Sequence, residues 1–201
     1  MTKIKISETK HWLRAAQTIS EALPYMRKFA GRTFVIKYGG HAMGNMGLAE
    51  NFAKDVVLLK QVGINPVVVH GGGPQIAKML ERLGLESHFV DGLRVTNKAA
   101  IEVVEMVLSG NINKEIVSLI NTAGGTAVGL SGKDGKLIEA QQLKLQTENS
   151  EEAERHRNLG YVGEPTNINT DVLKSFEKSN IIPVIAPIGM GKNGETYNIN
   201  A

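Results

Sequence analysis

Pro66-Val67-Val68-Val69-His70-Gly71-Gly72-Gly73-Pro74 is an apolar run that stops in a histidine, three glycines and a proline. A short apolar run closed by turn residues reads as a strand buried on both faces. A helical pattern follows through Ile76, Leu80 and Leu83 and closes at Gly84. Upstream, Thr33 to Ile36 is a β-rich run ending in Lys37-Tyr38-Gly39-Gly40, and Leu48 to Val62 carries helical periodicity through Phe52, Val56 and Leu59. Strand–helix–strand–helix over ~50 residues predicts an α/β fold with a parallel sheet and right-handed crossovers.

Downstream, Phe89 to Val95 contains Asp91-Gly92, a strong turn pair, and reads as a hairpin. Thr96 or Asn97 can cap a helix through Ile101, Val104, Val107 and Leu108, and a separate helix covers Lys114 to Asn121. Thr126–Leu130 and Leu137–Ala140 read as strands around a glycine turn at Ser131–Lys136. Glu148–Arg157 is polar and reads as a mobile loop, and Tyr161–Ile168 as a hairpin arm. A helix from Thr170 or Asp171 to Glu177 precedes a buried strand at Ile181–Ile185. Glu195–Ile199 begins a β-like element just before Ala201, so the chain is expected to stop inside a domain.

The 201 residues are 42% hydrophobic and 21% charged, which supports a real core and excludes disorder as the main state. The absence of cysteine excludes a disulfide scaffold, Cys-ligated zinc and a thiol nucleophile. No apolar run approaches the ~20 residues of a membrane span, and a soluble, cytoplasmic chain is expected. The net charge is +3, with residues 1–40 carrying eight Lys/Arg against two Glu. No aromatic platform accompanies that basic arm, and nucleic-acid binding is not expected. Trp12, Ala16, Ile19, Leu23 and Met26 share one helix face, and Pro24 predicts a kink or break near Leu23. That face suits packing on its own domain or docking on another subunit.

Two strands thus end in glycine turns. Glycines there let backbone N–H groups approach an anion, and a following helix N-terminus adds positive potential. Neither nucleotide fingerprint is present. Gly132-Lys133, Gly135-Lys136 and Gly191-Lys192 all lack the Ser or Thr of a Walker A loop, and Ile76 replaces the third dinucleotide glycine. Lys37 could neutralise a transferring phosphoryl group, and Arg94 could hold a carboxylate through its fork. Asn198 and Asn200 alternate on the last strand and share a face. No protein metal site is expected, and Mg²⁺ would arrive with a nucleotide.

In chain order, Val35-Ile36-Lys37-Tyr38-Gly39-Gly40, Val67 to Pro74, Gly92-Leu93-Arg94-Val95-Thr96 and Tyr197-Asn198-Ile199-Asn200-Ala201 closely resemble the amino acid kinase family. Within it they resemble the branch that phosphorylates N-acetyl-L-glutamate. The resemblance spans essentially the whole chain. It implies a three-layer αβα sandwich with a mainly parallel central sheet, preceded by a kinked N-terminal helix. Residues 1–30 would be the helical arm and 31–201 the substrate-binding lobe, with the nucleotide lobe absent. It implies transfer from ATP with Mg²⁺ to the side-chain carboxylate of N-acetyl-L-glutamate, the second step of arginine biosynthesis. Lys37 would be catalytic, Gly39, Gly40 and Gly71 phosphate-binding, and Gly72, Gly73, Arg94 and Asn198 substrate-binding. The arm resembles that of members that form homo-oligomers, dimers or hexamers, and are inhibited by arginine. The family's sequence continues beyond Ala201 into an Asp, a second lysine and most of the ATP pocket, so this chain alone is expected to be inactive. A related kinase acting on glutamate, aspartate, carbamate or UMP, and a non-catalytic binding or regulatory module, are the competing readings.

Overall fold

A computed structural model describes residues 6–39, 43–143 and 159–201, with side chains from residue 10 onward. Gly40 and the polar segment Glu148–Arg157 lie outside the described residues.

The opening stretch folds as its pattern dictates. Strand β1 (Thr33–Tyr38) leads into helix α2 (Met46–Gln61), strand β2 (Asn65–His70) and helix α3 (Gly73–Arg82). β1 and β2 pair in parallel, with Lys37 opposite Val69 and Tyr38 opposite His70. β5 (Thr126–Ser131) and β8 (Ile181–Ala186) complete a four-stranded, all-parallel sheet in the order β1-β2-β8-β5. The buried faces of α2, α3, α4 (Lys98–Glu105) and α5 (Asn113–Thr122) meet Ile36, Tyr38, Val68, Ile182 and Val184 in the main core. On the other face, Leu173 of α6 (Thr170–Glu177) packs with Val67 and Ile185. The parallel sheet expected from the alternation and the αβα layering implied by the resemblance are therefore both present.

The remaining strands are not part of that sheet. β6 (Ile138–Gln142), β7 (Val162–Ile168), β9 (Ile188–Met190) and β10 (Thr196–Ile199) close on one another in the order β10-β7-β6-β9. Pro187 separates β8 from β9 and turns the chain out of the parallel sheet into this second group. Sequence reading marks β6, β7 and β10 as β-elements but misses β9, and it does not give their partition between two sheets, because pairing depends on partners distant in the chain.

Local chemistry sets several boundaries. The hairpin of β3 (Phe89–Val90) and β4 (Leu93–Arg94) turns on Asp91 and Gly92, both at positive φ, which is the backbone Asp-Gly favours. Asn97, rather than Thr96, caps α4 by accepting from the Ala100 N–H at 2.8 Å. Asn169 caps α6 ahead of Thr170 and Asp171.

Two helical expectations are corrected. α4 and α5 are not separate helices, because a π-helical stretch, Met106–Ile112, joins them through Gly110. Of the kink or break expected near Leu23, the break is excluded: the arm, α1 (Ile6–Phe29), continues through Pro24. The Ser20 carbonyl that Pro24 leaves unbonded sits on an exposed helix, where water can take the bond. Trp12 is 67% exposed and Ile19 and Leu23 are also exposed, so this stripe is not packed on the chain's own domain. Phe29 anchors the helix end, edge-on to Phe34 at 5.4 Å. Among the described residues no helix is long and apolar enough to cross a membrane.

Candidate active-site cleft

In a parallel sheet the carboxyl ends of the strands open onto a crevice. Here that crevice is a cleft of about 280 Å³ at the ends of β1, β2 and β8. Lys37, Gly39, Gly71, Gly72, Gly73, Arg94 and Asn198 all line it, and so does Asn200. Of the residues expected to form a site, Gly40 alone lies outside the described residues. No acidic side chain lines the cleft among the described residues, so its cations face an uncompensated space.

Each element brings its residue for a local reason. β1 alternates, so Phe34, Ile36 and Tyr38 turn toward the main core while Val35 and Lys37 turn to the other face. Lys37 is exposed, with no partner among the described residues. Gly71 ties the first turn to the second by donating its N–H to the Tyr38 carbonyl at 3.0 Å. Gly72 could be nothing larger without rearrangement. A Cβ there would meet the Ile112 side chain, and Leu108 Cδ2 at 2.8 Å. The N-terminus of α3 follows immediately, with Pro74 in its first turn.

Arg94 is held by the hairpin and is only 6% exposed. Its guanidinium donates to Ser87 Oγ and, at 2.8 Å, to the Gly73 carbonyl, and it lies 4.5 Å from the centre of the Phe89 ring. Burial lowers its pKa, but an arginine stays protonated. Among the described residues no carboxylate pairs with it. A buried cation with neutral partners is costly unless an anion completes it.

Asn198 comes from the second group of strands. Its N–H donates to the Tyr161 carbonyl at 2.8 Å, and it pairs across to Val162 and Ile188. Lys133 braces β10 from the side, with Nζ 2.9 Å from Glu105 Oε1 and 3.1 Å from Thr196 Oγ1. Leu108, Val162 and Pro187 supply apolar walls. Sequence reading did not single these out, because nothing local distinguishes a wall residue from a core residue. Ser87 was also missed, since its use depends on where the hairpin folds Arg94.

The arrangement pairs a strand-end lysine and glycine N–H groups with a carboxylate-ready arginine and two amides. The amino acid kinase family model matches residues 32–201. The chain belongs to the amino acid kinase family. Curated relatives include acetylglutamate kinases of Rhodospirillum rubrum, 64% identical over 94% of this chain, and of Rhodospirillum centenum, 60% identical over 96%. The chain spans 62% and 63% of those two relatives. A crystal structure from Streptococcus mutans UA159 matches at 29% identity with a TM-score of 0.70, over 85% of this chain and 64% of that one. N-acetylglutamate synthase from Neisseria gonorrhoeae, solved with coenzyme A and N-acetyl-glutamate, shares the fold at a TM-score of 0.75 and 22% identity, over 92% of this chain and 40% of that one.

Proposed function

We propose that this chain supplies the substrate-binding lobe, residues 31–201, of an ATP-dependent kinase acting on N-acetyl-L-glutamate, with residues 1–30 as a helical arm. The product is N-acetyl-L-glutamyl 5-phosphate, the second intermediate on the route to arginine. The observation that carries the reading is Arg94, a buried guanidinium with only neutral partners beside a glycine turn. Its fork suits the α-carboxylate, Asn198 the acetamido group, and the Gly72 and Gly73 N–H groups the side-chain carboxylate. A side-chain carboxylate oxygen attacks the γ-phosphorus, the bond to the β–γ bridging oxygen breaks, and ADP leaves. Charge on the transferring phosphoryl oxygens is offset by Lys37, Gly39 and Gly40 approach the phosphates with backbone N–H groups, and Gly71, whose own N–H is held by the Tyr38 carbonyl, leaves the phosphates room by lacking a side chain. ATP is the co-substrate, accompanied by Mg²⁺. The exposed apolar stripe of α1 is the contact through which copies assemble, and arginine is the expected feedback ligand of the longer enzyme.

Calorimetric titration of the chain with N-acetyl-L-glutamate, L-glutamate and L-aspartate tests the substrate class. Selective binding of the acetylated compound is expected. Equal affinity for L-glutamate, or no binding, overturns the reading.

A further inference from the structure

One polar side chain, fully buried in the core, belongs to none of the strand-end or hairpin motifs. Asn113 stands at the start of α5, directly after the π-helical stretch, and is 0% exposed. A π-helical stretch widens the helix and changes which residues face inward. Here Asn113 is the residue turned into the ends of the parallel strands. Its Nδ2 donates to the Val184 carbonyl at 2.9 Å and to the Leu130 carbonyl at 3.3 Å. Both acceptors are carbonyls, so this end of the amide must be the NH₂. The same Nδ2 lies 3.3 Å from His70 Nε2. On the far side, Asn113 Oδ1 accepts from Lys114 Nζ at 3.1 Å. Gly129 leaves the room, since a Cβ there would fall on Asn113 Oδ1.

These contacts determine the state of His70. The Asn113 NH₂ cannot accept, so a proton on Nε2 would meet it head-on; Nε2 is therefore the unprotonated nitrogen, sharing an Nδ2 hydrogen with the 3.3 Å Leu130 contact, and the ring proton sits on Nδ1. Nδ1 lies 3.0 Å from the Gly71 carbonyl, which can only accept. The two ends of the imidazole therefore demand the same tautomer. In a trans peptide the C=O and the following N–H point in opposite directions. Holding the Gly71 carbonyl inward turns the Gly72 N–H outward. Gly72 lines the cleft, and its N–H has no protein acceptor among the described residues.

We propose that Asn113 and His70 are positioning residues that fix the Gly71–Gly72 peptide so that the Gly72 N–H is presented to an anionic ligand in the cleft. The inference rests on the functional reading above only for the identity of that ligand. The Gly71 N–H, in the preceding peptide unit, is already engaged by the Tyr38 carbonyl, so the two successive peptide units of the turn are each held before any ligand arrives. Such preorganisation is what lets backbone donors act on an anion without rearrangement.

The experiment is nitrogen-15 NMR of the ligand-free chain together with calorimetry. His70 is expected to carry its proton on Nδ1 alone. A proton on Nε2, or exchange between tautomers, overturns the proposal. In His70→Phe the Gly72 amide resonance should move, and affinity for N-acetyl-L-glutamate should fall about tenfold, the equivalent of one well-aligned hydrogen bond. Affinity within about twofold of the parent overturns the proposal. Val68→Ala, on the same strand and equally buried, serves as the packing control, and its affinity should change less than threefold. Comparable losses in the two variants would assign His70 a merely structural role and overturn the proposal. If the parent binds no N-acetyl-L-glutamate while His70 holds the assigned tautomer and the Gly72 amide responds, the substrate reading fails and the positioning role stands.

Discussion

Lys37-Tyr38-Gly39 leaves β1 with its lysine in solvent, whereas His70-Gly71-Gly72 leaves β2 with its histidine enclosed. A Cβ added at Gly39 would meet nothing within 4 Å, while one at Gly72 would strike Leu108 and Ile112. In sequence both turns are a polar residue and glycines after an apolar strand. In the fold, the first is an open rim carrying an exposed point charge, and the second is part of the core. The difference follows from position: β1 is the edge strand of the sheet, and β2 lies between β1 and β8. An edge strand has core on fewer sides, so its end can carry a long cation. An inner strand end is surrounded, so its polar groups must be satisfied internally.

The contrast sets an order of expected costs. The largest belongs to Gly129→Ala, which would drive a methyl group into Asn113 and break the network beneath the β2 turn. Its unfolding free energy should fall by about 3 kcal/mol in urea denaturation. A change below about 1 kcal/mol would show that Asn113 can move freely, and the second turn would no longer count as rigid. Gly72→Ala should cost about 1–2 kcal/mol, because the atoms it meets are side-chain ends that can yield. Gly39→Ala should stay within about 0.5 kcal/mol of the parent in the same measurement. Equal costs at the two glycines would erase the distinction.

A smaller effect comes from protons. Burial lowers the His70 pKa from 6.5, and the nearby Lys114 charge acts in the same direction, against the opposing Gly71 hydrogen bond. The unfolded chain therefore binds a proton at His70 more readily than the folded one. The stability from keeping it neutral is complete above about pH 6.5 and declines as pH falls through that value toward the lowered folded-state pKa. The urea midpoint of the parent should drop between pH 7.5 and 5.5 (roughly one unit either side of an ordinary histidine) by more than that of His70→Phe. Parallel curves would show that His70 is not held neutral. Smallest of all is Lys37→Met. Its stability should remain within about 0.5 kcal/mol, and its affinity for N-acetyl-L-glutamate within about twofold, since Lys37 is assigned to the phosphoryl group. A marked loss in either would mean that the first turn is as much a part of the core as the second.

Much of the architecture could be read locally. The β1–α2–β2–α3 unit follows from apolar periodicity, and the Asp91-Gly92 hairpin from turn chemistry that needs no distant partner. The glycine turns stood out because two of them end adjacent strands, and Arg94 and Asn198 because they sit in segments that resemble the family's motifs. Asn113 did not stand out. A lone asparagine between two apolar helical stretches carries no local sign of burial, and the structure encloses it directly after the π-helical join. Pro24 left two outcomes open, a kink or a break, and the helix runs on through it. On an exposed arm the carbonyl that the proline frees is open to solvent, which lets the helix continue past it.

The chain's own sequence determined the alternation of strands and helices, the turns that close them and the chemical types gathered at their ends. These depend on side-chain period, capping and backbone freedom, all settled within a few neighbouring residues. The tertiary structure alone decided that the late strands leave the parallel sheet and deliver Asn198 to the cleft. It also decided that Asn113 meets His70 from 43 residues away and Val184 from 71. Such meetings come from the closing of the core around buried polar groups, where each donor must find an acceptor, and no local pattern records which one it will be.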